Sequence, residues 1–204
     1  MIRVDGGEDG VVTITLDRPD KANSLTGAML SDMAAALRDA EGARAVILTG
    51  AGDKVFSAGA DLDEARAGLA TSPVWEQVSG AVAALPCLTI AALNGTLAGG
   101  AFGMALACDL RIAVPNARFF YPVAKLGFLP QPSDPVRLAA LIGPARTKMI
   151  LLAGQRLSSD EAHAYGLIDR VVSPGDLMQT ARAHCADAAD GTPDILHKIK
   201  SMVP

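Results

Sequence analysis

Alternating and continuous apolar runs predict several short strands along the chain. Residues 11–16 alternate in polarity, which is typical of a strand with one buried face. Apolar runs predict buried strands at 45–50 and 88–93, and shorter strands are predicted at 109–114 and 167–172. Residues 1–7 are polar and contain two adjacent glycines, so we expect a turn-like segment there and not a signal peptide.

Between these runs, apolar residues recur at helical spacing. Leu30, Met33 and Leu37 lie three or four positions apart and predict an amphipathic helix over residues 26–40. A further helix is expected over about residues 145–153, directly after a Gly-Pro pair that interrupts the preceding one. The last thirty or so residues are predicted to form a helical tail. Strands therefore alternate with helices, which indicates an α/β protein.

Two helix starts can be recognised from capping residues. Asp134 is expected to be an N-cap, because Pro135 suits the first helical position, and that helix should end near Leu141. Ser158 and Glu161 have the spacing of a capping box, in which each side chain satisfies a backbone N–H of the other.

Composition narrows the class of protein without defining an activity. The chain has 204 residues, half of them hydrophobic and a fifth charged, with a net charge of −4. Because the charges are mixed and no basic stripe is present, nucleic-acid binding is not expected. The three cysteines have no C-x-x-C spacing, so we expect neither a metal site nor a disulfide framework, and a cytoplasmic location. The uncharged stretch 77–108 contains a proline and several glycines, which favours a buried strand, a loop and a buried helix over a membrane span.

Two segments rich in small residues are the candidate sites of chemistry. Residues 56–62 and 94–103 both follow predicted strands, and Gly99-Gly100 in the second opens a helix. Small residues let a ligand approach the backbone, and free N–H groups at a helix start favour negative charge, so the two segments together could hold an oxyanion. The alternative is that the small residues only allow tight packing of a helix on a strand. Phosphate-binding, dinucleotide-binding and serine-nucleophile motifs are missing from the sequence.

These segments resemble motifs of one family. Residues 18–25 resemble R-P-x-x-x-N-A-L, 56–62 resemble F-x-A-G-A-D-[LI], 94–113 resemble N-G-x-x-x-G-G followed by C-D-x-x-x-A, and 157–172 resemble A-x-x-x-G-L-[IV]-x-x-V-V. In this order and spacing they are similar to the crotonase (enoyl-CoA hydratase/isomerase) superfamily, and the resemblance covers nearly the whole chain.

The resemblance implies a fold and a mode of assembly. The expected architecture is a crotonase-like spiral of β-β-α units over residues 1–175, followed by a shortened C-terminal helical segment over 176–204. Family members of this kind assemble as homotrimers or hexamers. The implied ligand is an acyl-CoA, with coenzyme A as part of the substrate and no tightly bound cofactor or metal.

The resemblance also implies which residues form the site. The backbone N–H groups of Ala60 and Gly100 would form an oxyanion hole. The positions implied to contact coenzyme A or the acyl group are Lys21, Ala22, Ala58, Asp61, Leu62, Gly99, Gly103, Pro122 and Val123. Asp61 is expected to cap the helix that follows it more than to take part in chemistry. Phe119, Phe120, Phe128 and Leu129 would line an apolar acyl pocket.

The chain departs from the family pattern where hydratases carry two glutamates. Gly103 and Val123 occupy those positions, and Gln131 occupies the position of an acid used by some isomerases. General acid/base chemistry needs a titratable group beside the substrate, and the candidates here are Asp134 first, then Tyr121, Lys125, Glu64 and Asp63.

Three functions therefore remain open. The chain could be an active acyl-CoA enzyme, catalysing isomerisation, decarboxylation or thioester hydrolysis. It could instead be a non-catalytic homologue that binds acyl-CoA. It could also be a protein with the same fold that has lost coenzyme A binding and acts through protein contacts.

Overall fold

The computed structural model describes residues 1–203 as two sheets surrounded by helices. The strands are β1 (Ile2–Gly6), β2 (Val11–Leu16), β3 (Ala45–Gly50), β4 (Val55–Ser57), β5 (Leu88–Leu93), β6 (Thr96–Ala98), β7 (Leu110–Ala113), β8 (Arg118–Phe120), β9 (Leu157–Ser158) and β10 (Arg170–Val171). The helices are α1 (Gly27–Asp39), α2 (Leu62–Arg66), α3 (Val74–Ala84), α4 (Phe102–Leu106), α5 (Val123–Leu126), α6 (Asp134–Leu151), α7 (Ser159–Tyr165), α8 (Leu177–His184), α9 (Ala186–Asp190) and α10 (Pro193–Ser201). Short 3-10 turns lie at Pro19–Lys21, Leu69–Thr71 and Gly99–Ala101.

The larger sheet has the strand order β1-β2-β3-β5-β7-β10. Its strands are parallel except at the β1–β2 edge, where Arg3 pairs with Thr15 in an antiparallel register. Every residue of the central strand β3 is buried, because helices cover one face of the sheet and the C-terminal helices pack against the other. This explains why β3 reads as a continuous apolar run, as strands buried on both faces do.

The smaller sheet has the order β4-β6-β8-β9, parallel apart from the β8–β9 pair. Three times in succession the chain passes through a strand of the large sheet, then a strand of the small sheet, then one or two helices. This repetition is the β-β-α spiral that was predicted. It places the ends of β4, β6 and β8 side by side, so the loops that follow these strands meet at one place.

Two buried asparagines hold the connection between the sheets. The Asn23 amide donates to the carbonyls of Ala51 (2.9 Å) and Val55 (2.8 Å), and its oxygen accepts from the Arg18 N–H. Asn94 donates to the Gly52 carbonyl (2.9 Å) and accepts from a backbone N–H of β3. Because loop backbone groups need partners when they are buried, these two side chains replace a sheet ladder and set where β4 begins.

Several predicted elements are confirmed. The strands predicted at 11–16, 45–50 and 88–93 correspond to β2, β3 and β5, and the helix predicted over 26–40 is α1, with the Thr26 hydroxyl accepting from Met29 N–H. The capping box is present, and α7 ends at Gly166 in the left-handed conformation. The predicted break in α6 is also present, at Gly143, whose φ of 79° is not helical.

Other predictions were wrong. The N-terminal segment is a strand, β1, and not a turn; its exposed residues carry little apolar signal because an edge strand is defined by backbone pairing. The strand predicted at 167–172 contains only Arg170 and Val171, because the buried Arg111 guanidinium binds the carbonyl of Leu167 and holds the preceding residues in a turn.

The uncharged stretch 77–108 is divided among most of α3, β5, β6 and α4. The sequence interpretation included the strand, the loop and the last helix but omitted α3. Within residues 1–203, no helix combines the length and the apolar character needed to cross a bilayer.

Gly95 and Gly80 provide a matched test of how the two sheets are joined. A Cβ on Gly95 would lie 2.1 Å from the Lys54 carbonyl carbon, whereas a Cβ on Gly80, in α3, would meet nothing within 4 Å. We expect Gly95→Ala to destabilise the protein by about 3 kcal/mol, as overpacking against backbone does. Gly80→Ala should stabilise it by roughly 0.5–1 kcal/mol through helix propensity. Thermal unfolding followed by circular dichroism would compare them, and equal melting temperatures would contradict this account of the sheet junction.

Candidate active site

The first glycine loop follows β4 and is held from both sides. The Ser57 hydroxyl donates to the Asn23 carbonyl (2.8 Å) and accepts from the Gly59 N–H (3.2 Å). Leu25 donates its N–H to the Gly59 carbonyl and accepts from the Asp61 N–H, both at 2.8 Å. Ala60 lies between these bonds, and no residue within 1–203 accepts a hydrogen bond from its N–H. The loop therefore presents one free donor in a backbone that is otherwise tied down.

The second glycine loop follows β6. Gly99 takes the left-handed conformation (φ 58°) and begins a 3-10 turn that leads into α4. Gly100 is the second residue of that turn, a position whose N–H has no partner inside the helix. Among the described residues no acceptor is found for it.

The two loops touch through backbone atoms. A Cβ on Gly59 would lie 3.0 Å from the Ala98 carbonyl oxygen, 3.3 Å from Gly99 Cα and 3.4 Å from Gly100 N. Gly59 also has a φ of 88°, which L side chains rarely adopt. Glycine is required there on both counts, and the contact brings the residues with free N–H groups next to each other.

A cavity of about 150 Å³ lies against both loops. It is lined by small residues of the loops and by apolar side chains around them: Ala58, Ala60, Leu62, Ala65, Ala70, Trp75, Ala98, Gly99, Gly100, Phe120, Tyr121, Pro122, Val123, Leu126, Phe128, Leu129 and Gln131. The Trp75 ring forms one wall and lies 3.1 Å from where a Gly100 Cβ would be. Its indole N–H donates to the Leu69 carbonyl at 2.8 Å, which fixes the plane of the ring.

Behind one wall of the cavity is a buried tyrosine–aspartate pair. Tyr121 lines the cavity, stacks on Phe102 with ring centroids 5.4 Å apart, and donates its hydroxyl to Asp134 Oδ2 at 2.8 Å. Asp134 is fully buried, and no residue of the described chain donates to its Oδ1. Burial raises the pKa of Asp134 to about 6, although the bond from Tyr121 and the nearby Arg137 act in the opposite direction. Burial, followed by the neighbouring Asp134 charge, raises the pKa of Tyr121 as well.

Gly103 lies next to this carboxylate and not in the cavity. A Cβ at Gly103 would lie 2.9 Å from Asp134 Oδ1 and 3.4 Å from the Cβ of Ser79. The space beside α4 at this position is therefore occupied by a carboxylate that comes from the start of α6.

The sequence interpretation of Asp134 as an N-cap was wrong. Ser133 occupies the N-cap position and Asp134 is the first residue of α6, with its side chain turned into the core. The expected role of Asp61 is confirmed, since its Oδ1 accepts from the N–H groups of Asp63 and Glu64 at the start of α2. The hydrogen bond from Arg18 to its other oxygen lowers the pKa of Asp61.

The remaining predicted residues divide between the cavity and its surroundings. Ala58, Leu62, Gly99, Pro122 and Val123 line the cavity. Lys21 and Ala22 lie outside it, on a turn whose Ala22 carbonyl accepts from the Ala58 N–H at 3.0 Å. Of the acid/base candidates, Tyr121 alone is part of the lining. The prediction that Phe119 lines the pocket was wrong: its strand neighbour Phe120 faces the cavity, while Phe119 is fully buried in the core.

Sequence reasoning missed the contribution of α3. Trp75, Glu76 and Ser79 all face the site from the first turns of this helix. One signal was available, because Trp75 is the single tryptophan of the chain and lies between the two segments rich in small residues.

A larger groove, of about 530 Å³, lies elsewhere, along the large sheet and α8. It includes neither Ala60 nor Gly100, and its lining is mostly threonine, glycine and two arginines that already have carboxylate partners. The smaller cavity is therefore the candidate active site, because it borders the free N–H groups of Ala60 and Gly100 and its lining residue Tyr121 binds a buried acid.

Comparisons with known proteins agree with this geometry. The family model for enoyl-CoA hydratase/isomerase matches residues 6–204. The Bacillus subtilis protein YngF, whose name places it with enoyl-CoA hydratases and isomerases, is 39% identical over 199 residues, covering 93% of this chain and 76% of its own. Carnitinyl-CoA dehydratase of Salmonella enteritidis is 37% identical over 201 residues, covering 94% and 76%.

Solved structures show the same similarity. The crystal structure of enoyl-CoA hydratase from Bacillus anthracis has a TM-score of 0.91 and 36% identity, and the alignment covers 98% of this chain and 81% of that one. An enoyl-CoA hydratase subunit from Geobacillus kaustophilus has a TM-score of 0.88 and 34% identity, with 99% and 80% covered. The order of elements, the two touching glycine loops and these matches lead to one conclusion: the chain belongs to the enoyl-CoA hydratase/isomerase family, within the crotonase superfamily.

Proposed function

We propose that the protein is an acyl-CoA isomerase that binds the thioester carbonyl between the N–H groups of Ala60 and Gly100. The observation that supports this most directly is the pair of unpartnered donors on two touching loops beside an apolar cavity. Donors fixed in this way stabilise a developing enolate oxygen without reorganising. The apolar walls exclude water and strengthen the interaction.

The acid/base group in this proposal is Tyr121, supported by Asp134. As the α-proton leaves the substrate, its electron pair moves into the enolate and the proton passes to Tyr121 Oη. The hydroxyl proton of Tyr121 passes at the same time to Asp134 Oδ2, so the tyrosine remains neutral. The reverse transfer delivers a proton to a different carbon and shifts the double bond. A single relay suits an isomerisation better than a hydration, because no second titratable side chain lines the cavity among the described residues.

In this proposal Asp134 takes the place of the glutamates that hydratases use. Gly103 and Val123 lack acid/base groups, but the Asp134 carboxylate fills the space above Gly103. The coenzyme A part of the bound substrate would extend out of the cavity past Ala58, toward the turn that contains Lys21 and Ala22. The alternative is a non-catalytic acyl-CoA-binding homologue. In that case the two loops would bind the thioester in the same way, but the buried acid would take no part in a reaction.

A first test separates loop geometry from general backbone strain. Gly59 and Gly154 both have positive φ, 88° and 67°, but only Gly59 is crowded by the second loop. We expect Gly59→Ala to push the loops apart and to lower kcat/KM on 2-enoyl- and 3-enoyl-CoA substrates roughly 100- to 1000-fold, the usual effect of losing one oxyanion donor. Gly154→Ala should lose stability but keep kcat/KM within about twofold. Equal activity of the two variants would refute the role of the loops.

A second test concerns the charge state of Asp134. As a base it must be ionised, so the rate should rise with pH through about 6. Asp134→Asn should lower kcat by roughly 100-fold or more and remove this limb of the pH profile. If wild type and variant bind acyl-CoA equally by calorimetry and neither turns over, the non-catalytic alternative is correct.

The same carboxylate should affect stability in a predictable direction. Its pKa in the fold, about 6, is above the ordinary value of 3.8, so the folded state binds the proton more tightly than the unfolded chain. The free energy of unfolding therefore falls as pH rises from about 4 to 6, because ionising the buried Asp134 destabilises the folded state. Asp134→Asn should melt at a higher temperature than wild type above pH 6, with the difference shrinking toward pH 4. A difference independent of pH would show that Asp134 is not a buried acid of raised pKa.

A further inference from the structure

The first turns of α3 connect the separate parts of the site. Trp75 packs against Gly100 in the second glycine loop, and Ser79 lies beside Gly103 under the buried carboxylate. Between them Glu76 reaches the residue that precedes Asp134. One short piece of helix therefore contacts the loop with a free N–H group and the segment that carries the acid.

Glu76 binds Ser133 with both carboxylate oxygens. Oε1 accepts from the Ser133 hydroxyl, and Oε2 accepts from the Ser133 N–H at 3.3 Å. Ser133 occupies the N-cap of α6, where a serine side chain ordinarily accepts from a backbone N–H of its own helix. No such bond is made here, because the hydroxyl turns away to Glu76. The start of α6 is thus held by α3 and not by its own cap.

This clamp determines where Asp134 lies. Asp134 is the next residue, and its carboxylate must reach Tyr121 while leaving Oδ1 above Gly103. With the backbone N–H of Ser133 fixed on Glu76, the Cα of Asp134 can move little. The contact between Glu76 and Ser133 is also between two sequence-distant segments, so no local sequence preference would supply it.

The charge of Glu76 acts on the same carboxylate. Three ionisable side chains act on Asp134: Tyr121, which donates a hydrogen bond; Arg137, one turn further along α6; and Glu76 from α3. Two of these favour the ionised acid, while Glu76 favours the protonated one. The residues of α4 beside Asp134, Phe102 and Gly103, are uncharged.

We infer that Glu76 is a positioning residue of this site, seating the Asp134 carboxylate against Tyr121 through its two bonds to Ser133. The inference rests on the proposed function for its effect on rate, but its effect on Asp134 does not depend on turnover. Glu76 has two separable roles: it holds the start of α6, and its negative charge makes Asp134 harder to ionise.

Two variants separate these roles. Glu76→Gln can keep both contacts, since its oxygen accepts from the Ser133 N–H and its amide donates to the Ser133 hydroxyl, but it removes the charge. Ser133→Ala keeps the charge and the backbone bond but removes the hydroxyl. The titration of Asp134, read by ¹³C NMR of the labelled carboxyl, should move about half a pH unit toward acid in Glu76→Gln. In Ser133→Ala the midpoint should stay, while kcat falls roughly fivefold with KM unchanged.

The outcomes distinguish the inference from the proposed function. An Asp134 midpoint that is the same in Glu76→Gln and wild type would overturn the role of the charge, and an unchanged kcat in Ser133→Ala would overturn the clamp. If Glu76→Gln does not fold, the Ser133→Ala result still decides. Full activity of Asp134→Asn would overturn the proposed function, while the NMR midpoint would still report whether Glu76 acts on Asp134.

Discussion

The close approach of two glycine loops is the constraint on which the rest of the site depends. Gly59 meets the backbone of Ala98, Gly99 and Gly100 at distances that leave no room for a side chain. That contact places Ala60 and Gly100, both with free N–H groups, beside the same cavity. It is possible only because β4 and β6 are parallel neighbours in the small sheet, which brings the loops at their ends together. Asn23 and Asn94 fix where β4 starts, and so fix how far along β4 and β6 the two loops meet.

The buried carboxylate of Asp134, by contrast, lowers the stability of the fold. Most polar groups in the fold have partners, yet one oxygen of Asp134 has none among the described residues, and burial raises the pKa of this carboxyl to about 6. A core position with no chemical role would be more stable with a neutral side chain, because an unsatisfied buried carboxylate is costly. The destabilising carboxylate lies where it can accept a hydrogen bond from a tyrosine that lines the cavity. Perturbed groups of this kind concentrate at functional sites.

The residues around Asp134 illustrate how a local signal can mislead. Asp followed by Pro is a good helix start, so the sequence favoured an N-cap. In the fold the cap position moves back to Ser133, whose hydroxyl binds Glu76, more than fifty residues earlier in the chain. Such a contact competes with capping only when α3 and α6 are already packed on α4. The N-terminal strand β1 is a similar case, since its pairing with β2 leaves its side chains exposed and its pattern weak.

The sequence by itself determined the long elements and the loops. Strands such as β3 are continuous apolar runs, α1 has helical periodicity, and clusters of small residues mark the two loops that follow β4 and β6. It also showed that Gly103 and Val123 carry no acid. Only the tertiary structure decided which side chain fills the space above Gly103, because Asp134 comes from α6, Glu76 from α3 and Tyr121 from the segment after β8. Periodicity and capping report on neighbours within one helix or strand, whereas this cluster depends on how separate elements pack.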